Sequence, residues 1–191
     1  MRSRGNGSAR NRVRAAVRGA LALLVLAALL KVENPAAAET SPPIEQRFAA
    51  SLLPLPREPL SVSGAFYVPA YSSVSLSQGR ARADFSVTLS IHNASESSPL
   101  VIRRIAYFDT AGNPVESYLK APVALKPFAT VEVFISAADL RGGTGANFIV
   151  DWAATAEIAE PVVEALMLGA FGGGHYAFIS QGRPIIRASN R

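Results

Sequence analysis

From residue 84 to residue 93 the chain alternates with period two: Phe85, Val87, Leu89 and Ile91 fall on one side, Ser86, Thr88 and Ser90 on the other. Successive side chains of a strand point to opposite faces, so this pattern predicts a half-buried strand with an apolar face and a hydroxyl face. The same period returns at 129–135, where Val131, Val133 and Ile135 share a side, and at 147–153, where Phe148, Val150 and Trp152 do. Segments rich in Val, Ile and aromatics at 100–108 and 115–119 flank Asp109-Thr110-Ala111-Gly112, with Asp at the first position of a type I turn and Gly where a positive φ is wanted, which is a hairpin signal. An opening strand is predicted over 66–74, with Pro69 marking an edge position. Residues 162–169 lie between Pro161 and the glycines at 172–174, brackets that also suit a helix. Their length, β-branched start and all-strand surroundings assign them to a strand. A strand at 176–180 closes the series. Seven or eight short strands with turn residues between them predict an all-β domain over 64–186, an antiparallel immunoglobulin-like β-sandwich, with a tail at 187–191.

The strand at 147–153 is the centre of this scheme, entered from Gly142-Gly143-Thr144-Gly145 and carrying the only tryptophan. A glycine run of this kind cradles phosphate when a helix N-terminus and a Lys follow it. Here a strand follows and no Lys is near, so a tight turn with positive φ at one or more glycines is expected, with strain on replacing Gly145.

Residues 39–63 form a proline-rich linker, since Pro42, Pro43, Pro54, Pro56 and Pro59 rule out a long helix or a central strand. Within it Ile44, Phe48 and Leu52 recur every four residues, which predicts a short helix with Ser41 as N-cap and Pro42 in its first position. Residues 1–38 have the three parts of a signal peptide: six arginines, an uncharged apolar run at 19–30, and Ala36-Ala37-Ala38 as a cleavage site. Cleavage after Ala38 and export to the periplasm are expected. The alternative is an uncleaved segment anchored in the inner membrane, for which a run this short falls well below the roughly 20 residues of a span.

Seven of the nineteen basic residues and one of the fourteen acidic ones lie in that leader. The remainder carries twelve and thirteen, a net charge of −1, with no Lys/Arg cluster to neutralise phosphates, so nucleic-acid binding is excluded. The chain has no cysteine, which removes disulfides, thiol catalysis and thiolate metal sites.

The chemistry-bearing residues are sparse. His92 and His175 are the only histidines and neither has metal-ligand spacing, and no G-x-S-x-G elbow is present. No metal site or cofactor is therefore expected. Asn93-Ala94-Ser95 fits a glycosylation sequon by pattern alone. Carboxylates remain: Asp151 and Glu164 fall on strands expected to be neighbours, on the face opposite the core, where with His92 they would make a small carboxylate-dependent hydrolase. On that same outer face period two places Phe134, Ile149, Leu166 and Leu168, more apolar surface than a solvated face usually carries. These residues, with Asp151 and Glu164, are the candidate binding face, and the Ile44, Phe48, Leu52 stripe is the expected cover.

The stretches GAFYVPAYSSV, TLSIHN, AYFDTAGNPVESYL, GGTGANFIVDW, EPVVEALMLG and FISQGRPI, in this order across nearly the whole folded region, resemble a bacterial family known as domain of unknown function 3124. The resemblance implies an exported or lipid-anchored envelope protein. The missing cysteine after the leader departs from the lipid-anchored members, and the family supplies no catalytic residues to carry over. The expectation is thus a non-catalytic envelope module that binds a protein or small ligand, with the hydrolase as the alternative.

Overall fold

The computed structural model describes residues 42–185. The expectations for the leader at 1–38, for Ser41 as a cap and for the tail at 187–191 lie outside the described residues.

Among the described residues twelve strands form two antiparallel sheets around one core: β1 (Leu52–Leu53), β2 (Val62–Pro69), β3 (Ser73–Leu76), β4 (Ala81–His92), β5 (Leu100–Phe108), β6 (Pro114–Ser117), β7 (Val123–Leu125), β8 (Thr130–Ile135), β9 (Asn147–Ala154), β10 (Val162–Phe171), β11 (Gly174–Gln181) and β12 (Arg183–Pro184). The first sheet runs β1-β7-β5-β9-β2-β12, with β6 also on β5. The second runs β11-β10-β4-β3, with β8 also on β4. Phe66, Val68, Ile105, Phe148, Val150 and Trp152 from the first sheet meet Phe85, Val87, Leu89, Ile91, Val133 and Met167 from the second in a single buried cluster. The alternation at 84–93 therefore does what its period dictates, burying every second residue of β4.

β9 is central in its sheet, between β5 and β2. The expected single strand at 66–74 is two strands in different sheets. The chain turns the corner at residues 70–72, where Ala70 N–H donates to the Ala146 carbonyl and Ser72 N–H to the Gly143 carbonyl. Pro69 accordingly sits at the last position of β2, opposite Asn147, and β2 is not an edge strand, since β12 pairs with it on the other side. β7, β1 and β12 are too short to show a period, which together with that split takes the count past the seven or eight expected.

The predicted helix is a single turn, α1 (Ile44–Arg47), followed by a 3-10 turn at Ala49–Ser51, with Pro43 immediately before its first residue. It does not lie on the outer face. Ile44 is buried in the core, Phe48 and Leu52 pack against it, Leu52 pairs with Leu125 of β7, and the Arg47 guanidinium donates to the Glu132 carbonyl of β8 at 2.5 Å. The segment thus bridges β7 of one sheet and β8 of the other and closes the seam between them.

Candidate functional site

The outer face of the second sheet is built from the residues that alternate with its core positions. Thr88 stands opposite both Phe134 and Leu166, and Leu166 opposite Ile179, so these four form one row across β8, β4, β10 and β11. The next row is Ser86, Leu168 and Ala177. Phe134 is 51% exposed, Leu168 45% and Ile179 55%, so no segment among the described residues covers them. On the other side of the apolar row lies a polar one of Glu132, Ser90, Glu164 and Gln181, where Gln181 Nε2 donates to the Glu164 carboxylate at 2.8 Å. Beside Leu168 the end of the β10–β11 hairpin forms an open depression of about 470 Å³ lined by Leu168, Gly169, Ala170, His175, Tyr176 and Ala177.

Four of the six residues proposed from the sequence, Phe134, Glu164, Leu166 and Leu168, come together here. Ile149 and Asp151 do not. They belong to β9 in the other sheet, where Ile149 faces Ala106 and Tyr67, and Asp151 lies 2.8 Å from Arg104 Nε. Because Val150 and Trp152 of β9 and Val163 and Ala165 of β10 all point into the shared core, Asp151 and Glu164 point away from it on opposite sides. The two strands are consecutive in sequence but cross between sheets, a topology that period-two reasoning cannot see.

A carboxylate pair acting on one bond must share a cleft, and this pair is separated by the thickness of the sandwich. His92 is on the Glu164 side, with Nδ1 2.8 Å from Thr130 Oγ1, and His175 is at the hairpin end. Among the described residues no group of three or more His, Asp or Glu side chains is placed to hold a metal ion.

Three arrangements had weak or no signal in the sequence. Asn93 is buried, and its Nδ2 donates to the carbonyls of Ser98, Leu125 and Lys126 while its Oδ1 accepts from Ser95 N–H. The sequon's Asn is thus fully engaged in the folded domain, where it clamps the 93–98 loop to β7. Tyr107 is fully buried with its hydroxyl 2.8 Å from Ser72 Oγ, and burial pushes its pKa up, as it does for Tyr118. Phe128, 69% exposed, holds a φ of 57° in the turn after Pro127, where Ala129 N–H donates to the Lys126 carbonyl. The Lys-Pro pair marks a turn, but a type II turn would ordinarily place Gly at that position.

The class these features define is an all-β domain of two antiparallel sheets whose exposed apolar face, rather than a cleft, is its most distinctive surface. The chain belongs to the family of proteins of unknown function DUF3124, whose model matches residues 63–185. No curated protein matches the sequence. Among solved structures, the crystal structure of Thermotoga maritima 1070 is similar with a TM-score of 0.38 and 11% sequence identity, covering 65% of this chain and 96% of that one.

Proposed function

We propose that this protein is an exported, immunoglobulin-like β-sandwich of the bacterial cell envelope that acts as a non-catalytic interaction module, binding an envelope protein through the outer face of its second sheet. The observation that carries this reading is the row Phe134, Leu166 and Ile179 with Leu168 beside it, apolar side chains held out to solvent on a regular sheet. Soluble proteins rarely leave a contiguous apolar patch of more than a few hundred Å² open without a use for it. The segment expected to cover it is committed to the seam between the sheets. The hydrolase alternative has lost its shared carboxylate site, so no observation favours it.

Export rests on the leader at 1–38, and the intact mass of the exported protein is expected to start at Glu39. Retention of residues 1–38 in the membrane fraction would establish the anchored form instead. For the face, the full chain is to be crosslinked in its own envelope as wild type and as the Phe134→Ser/Leu168→Ser variant. The wild type is expected to capture an envelope protein that the variant loses at least tenfold. Equal capture by both would remove this face as the binding surface.

A further inference from the structure

Strand β11 is a free margin of the second sheet: among the described residues it pairs with β10 and with no other strand. The other margins among the described residues are each blunted. β1 and β12 are two residues long, and β12 contains Pro184. β6 begins at Pro114 and β3 has four residues. At β8 the Glu132 carbonyl is taken by Arg47 of α1. β11 has eight residues, with no proline and no Lys, Arg, Asp or Glu, and exposes Tyr176, Phe178 and Ile179. Unguarded edges of this length invite strand addition, and proteins that do not use them normally place a charge, a proline or a bulge there.

The phase of the ladder shows which backbone groups this edge offers. The β10–β11 turn has Gly172 and Gly173 at positive φ between the paired Phe171 and Gly174. At the far end Gly182 N–H donates to the Val163 carbonyl at 2.7 Å. Hydrogen-bonded pairs alternate along an antiparallel ladder, so Gly174, Tyr176, Phe178 and Ser180 turn their N–H and C=O toward β10. His175, Ala177, Ile179 and Gln181 turn theirs outward.

We propose that β11 pairs antiparallel with β11 of a second copy of this chain, about a two-fold axis at Phe178, joining two second sheets into one continuous sheet. In this register Ala177 faces the partner copy's Ile179 and His175 its Gln181, so all four outward-facing residues are used. That gives about eight inter-chain ladder bonds, two for each of four hydrogen-bonded pairs. The contact is self-complementary, as a two-fold interface requires. It brings no like charges together, because the strand carries none. It also continues the row Phe134, Leu166, Ile179 into Ala177 and Leu168 of the second copy. The surface removed is on the order of 1,000 Å² in total, at the lower limit for a specific interface, so the dimer is a reversible one. This inference shares Ile179 with the proposed binding face but does not rest on it, and the capture test of that face uses Phe134 and Leu168, on other strands, so the two can fail separately.

The full chain is to be expressed and the form that accumulates analysed by sedimentation from about 1 to 100 μM. A monomer–dimer equilibrium is expected. Ala177→Pro removes only an outward N–H, and Ile179→Lys places a charge on the edge, so each is expected to weaken dimerisation at least tenfold while keeping the far-ultraviolet spectrum. The chain has no cysteine of its own, so engineered ones report the register directly. Phe178→Cys is expected to form an inter-chain disulfide on mild oxidation, since non-hydrogen-bonded pairs bring Cα atoms to about 4.5 Å. Tyr176→Cys alone should not crosslink, whereas Tyr176→Cys with Ser180→Cys should, a second test should Phe178 be needed for folding. A chain monomeric at 100 μM would overturn the proposal. So would a dimer indifferent to Ala177→Pro and Ile179→Lys, or crosslinking without register preference.

Discussion

The α-carbon of Gly142 packs so closely against Tyr107 that a side chain there would overlap the phenolic hydroxyl and come within 2.6 Å of Cζ. Tyr107 is held in turn by Ser72, and Thr110 ties the same turn down, its N–H and Oγ1 donating to the Gly142 carbonyl while Oγ1 accepts from Gly145 N–H. The glycine run is thus the corner brace between β2, β3, β5 and β9. The chemistry of the four glycine-run positions is structural, and it requires different things of each.

Gly142→Ala is expected to cost about 1–3 kcal/mol, the range for forcing extra volume into a packed site. Gly143 has the left-handed φ, 71°, and a Cβ there would sit 2.7 Å from Thr110 Oγ1, so Gly143→Ala should also destabilise. At Gly145, where the sequence suggested the strain, φ is not left-handed and the nearest atom to an added Cβ is Thr110 Cγ2 at 3.1 Å. Gly145→Ala is expected to be the mildest of the three. A urea midpoint for Gly145→Ala equal to or below that of Gly142→Ala would show that contact with Tyr107 does not set this corner.

Asn93 converts a loop into a fixed connection by supplying one side-chain amide to three backbone carbonyls. Asn93→Ala leaves buried acceptors without a donor, at an expected cost of about 1–3 kcal/mol. Asn93→Asp removes the donor and adds a buried charge, so its midpoint should fall further than that of Asn93→Ala. Equal midpoints for wild type and both variants would mean that water replaces the amide.

What the sequence made legible follows from period. β4, β8 and β9 were placed within a few residues because alternation over six or more positions has one explanation, β5 was placed by its run of Val, Ile and aromatic residues, and the Asp109–Gly112 turn was legible because Gly112 takes the left-handed φ, 82°, that its position demands. Sheet membership was not. Asp151 and Glu164 are each on the outward side of their strands as expected, yet nothing in a strand's own pattern says which sheet its neighbour in sequence will join. The Ile44, Phe48, Leu52 stripe was found for the right reason, its need for burial, and assigned to the wrong place, because short β7 left no sign of the seam that receives it.

Asp139 accepts from the Arg141 guanidinium, which also reaches Glu116, and this hydrogen bond holds the Asp139 carboxyl below its ordinary value of 3.8. A carboxylate whose pKa is lowered by folding stabilises the fold fully above its unfolded value and loses that contribution as pH falls through the folded one. The stability gap between wild type and Asp139→Asn should therefore be constant from neutral pH down to about 5 and close below about 4. Both groups are partly solvated, so added salt should narrow the gap at neutral pH. A gap that persists at pH 2 would assign the effect of Asp139 to packing rather than to charge.

The seam segment and the outer face make opposite demands on apolar residues, and substitutions separate them. Ile44 is 3% exposed in a cluster drawn from both sheets, so Ile44→Ala should cost about 2–5 kcal/mol, the range for emptying a core position. Phe134 is 51% exposed, and Phe134→Ser should change stability by no more than about 0.5 kcal/mol, as surface substitutions usually do. Deleting residues 42–53 removes Ile44, Phe48 and Leu52 from the core, the β1–β7 pairing, and the bond from Arg47 to Glu132. Hydrophobic-dye binding should rise after that deletion together with a fall in the unfolding midpoint, because the surface exposed is the core itself. Were the segment a cover for the outer face, dye binding would rise with the midpoint unchanged. Ile44→Ala would then be as silent as Phe134→Ser, and the seam would have to close without α1.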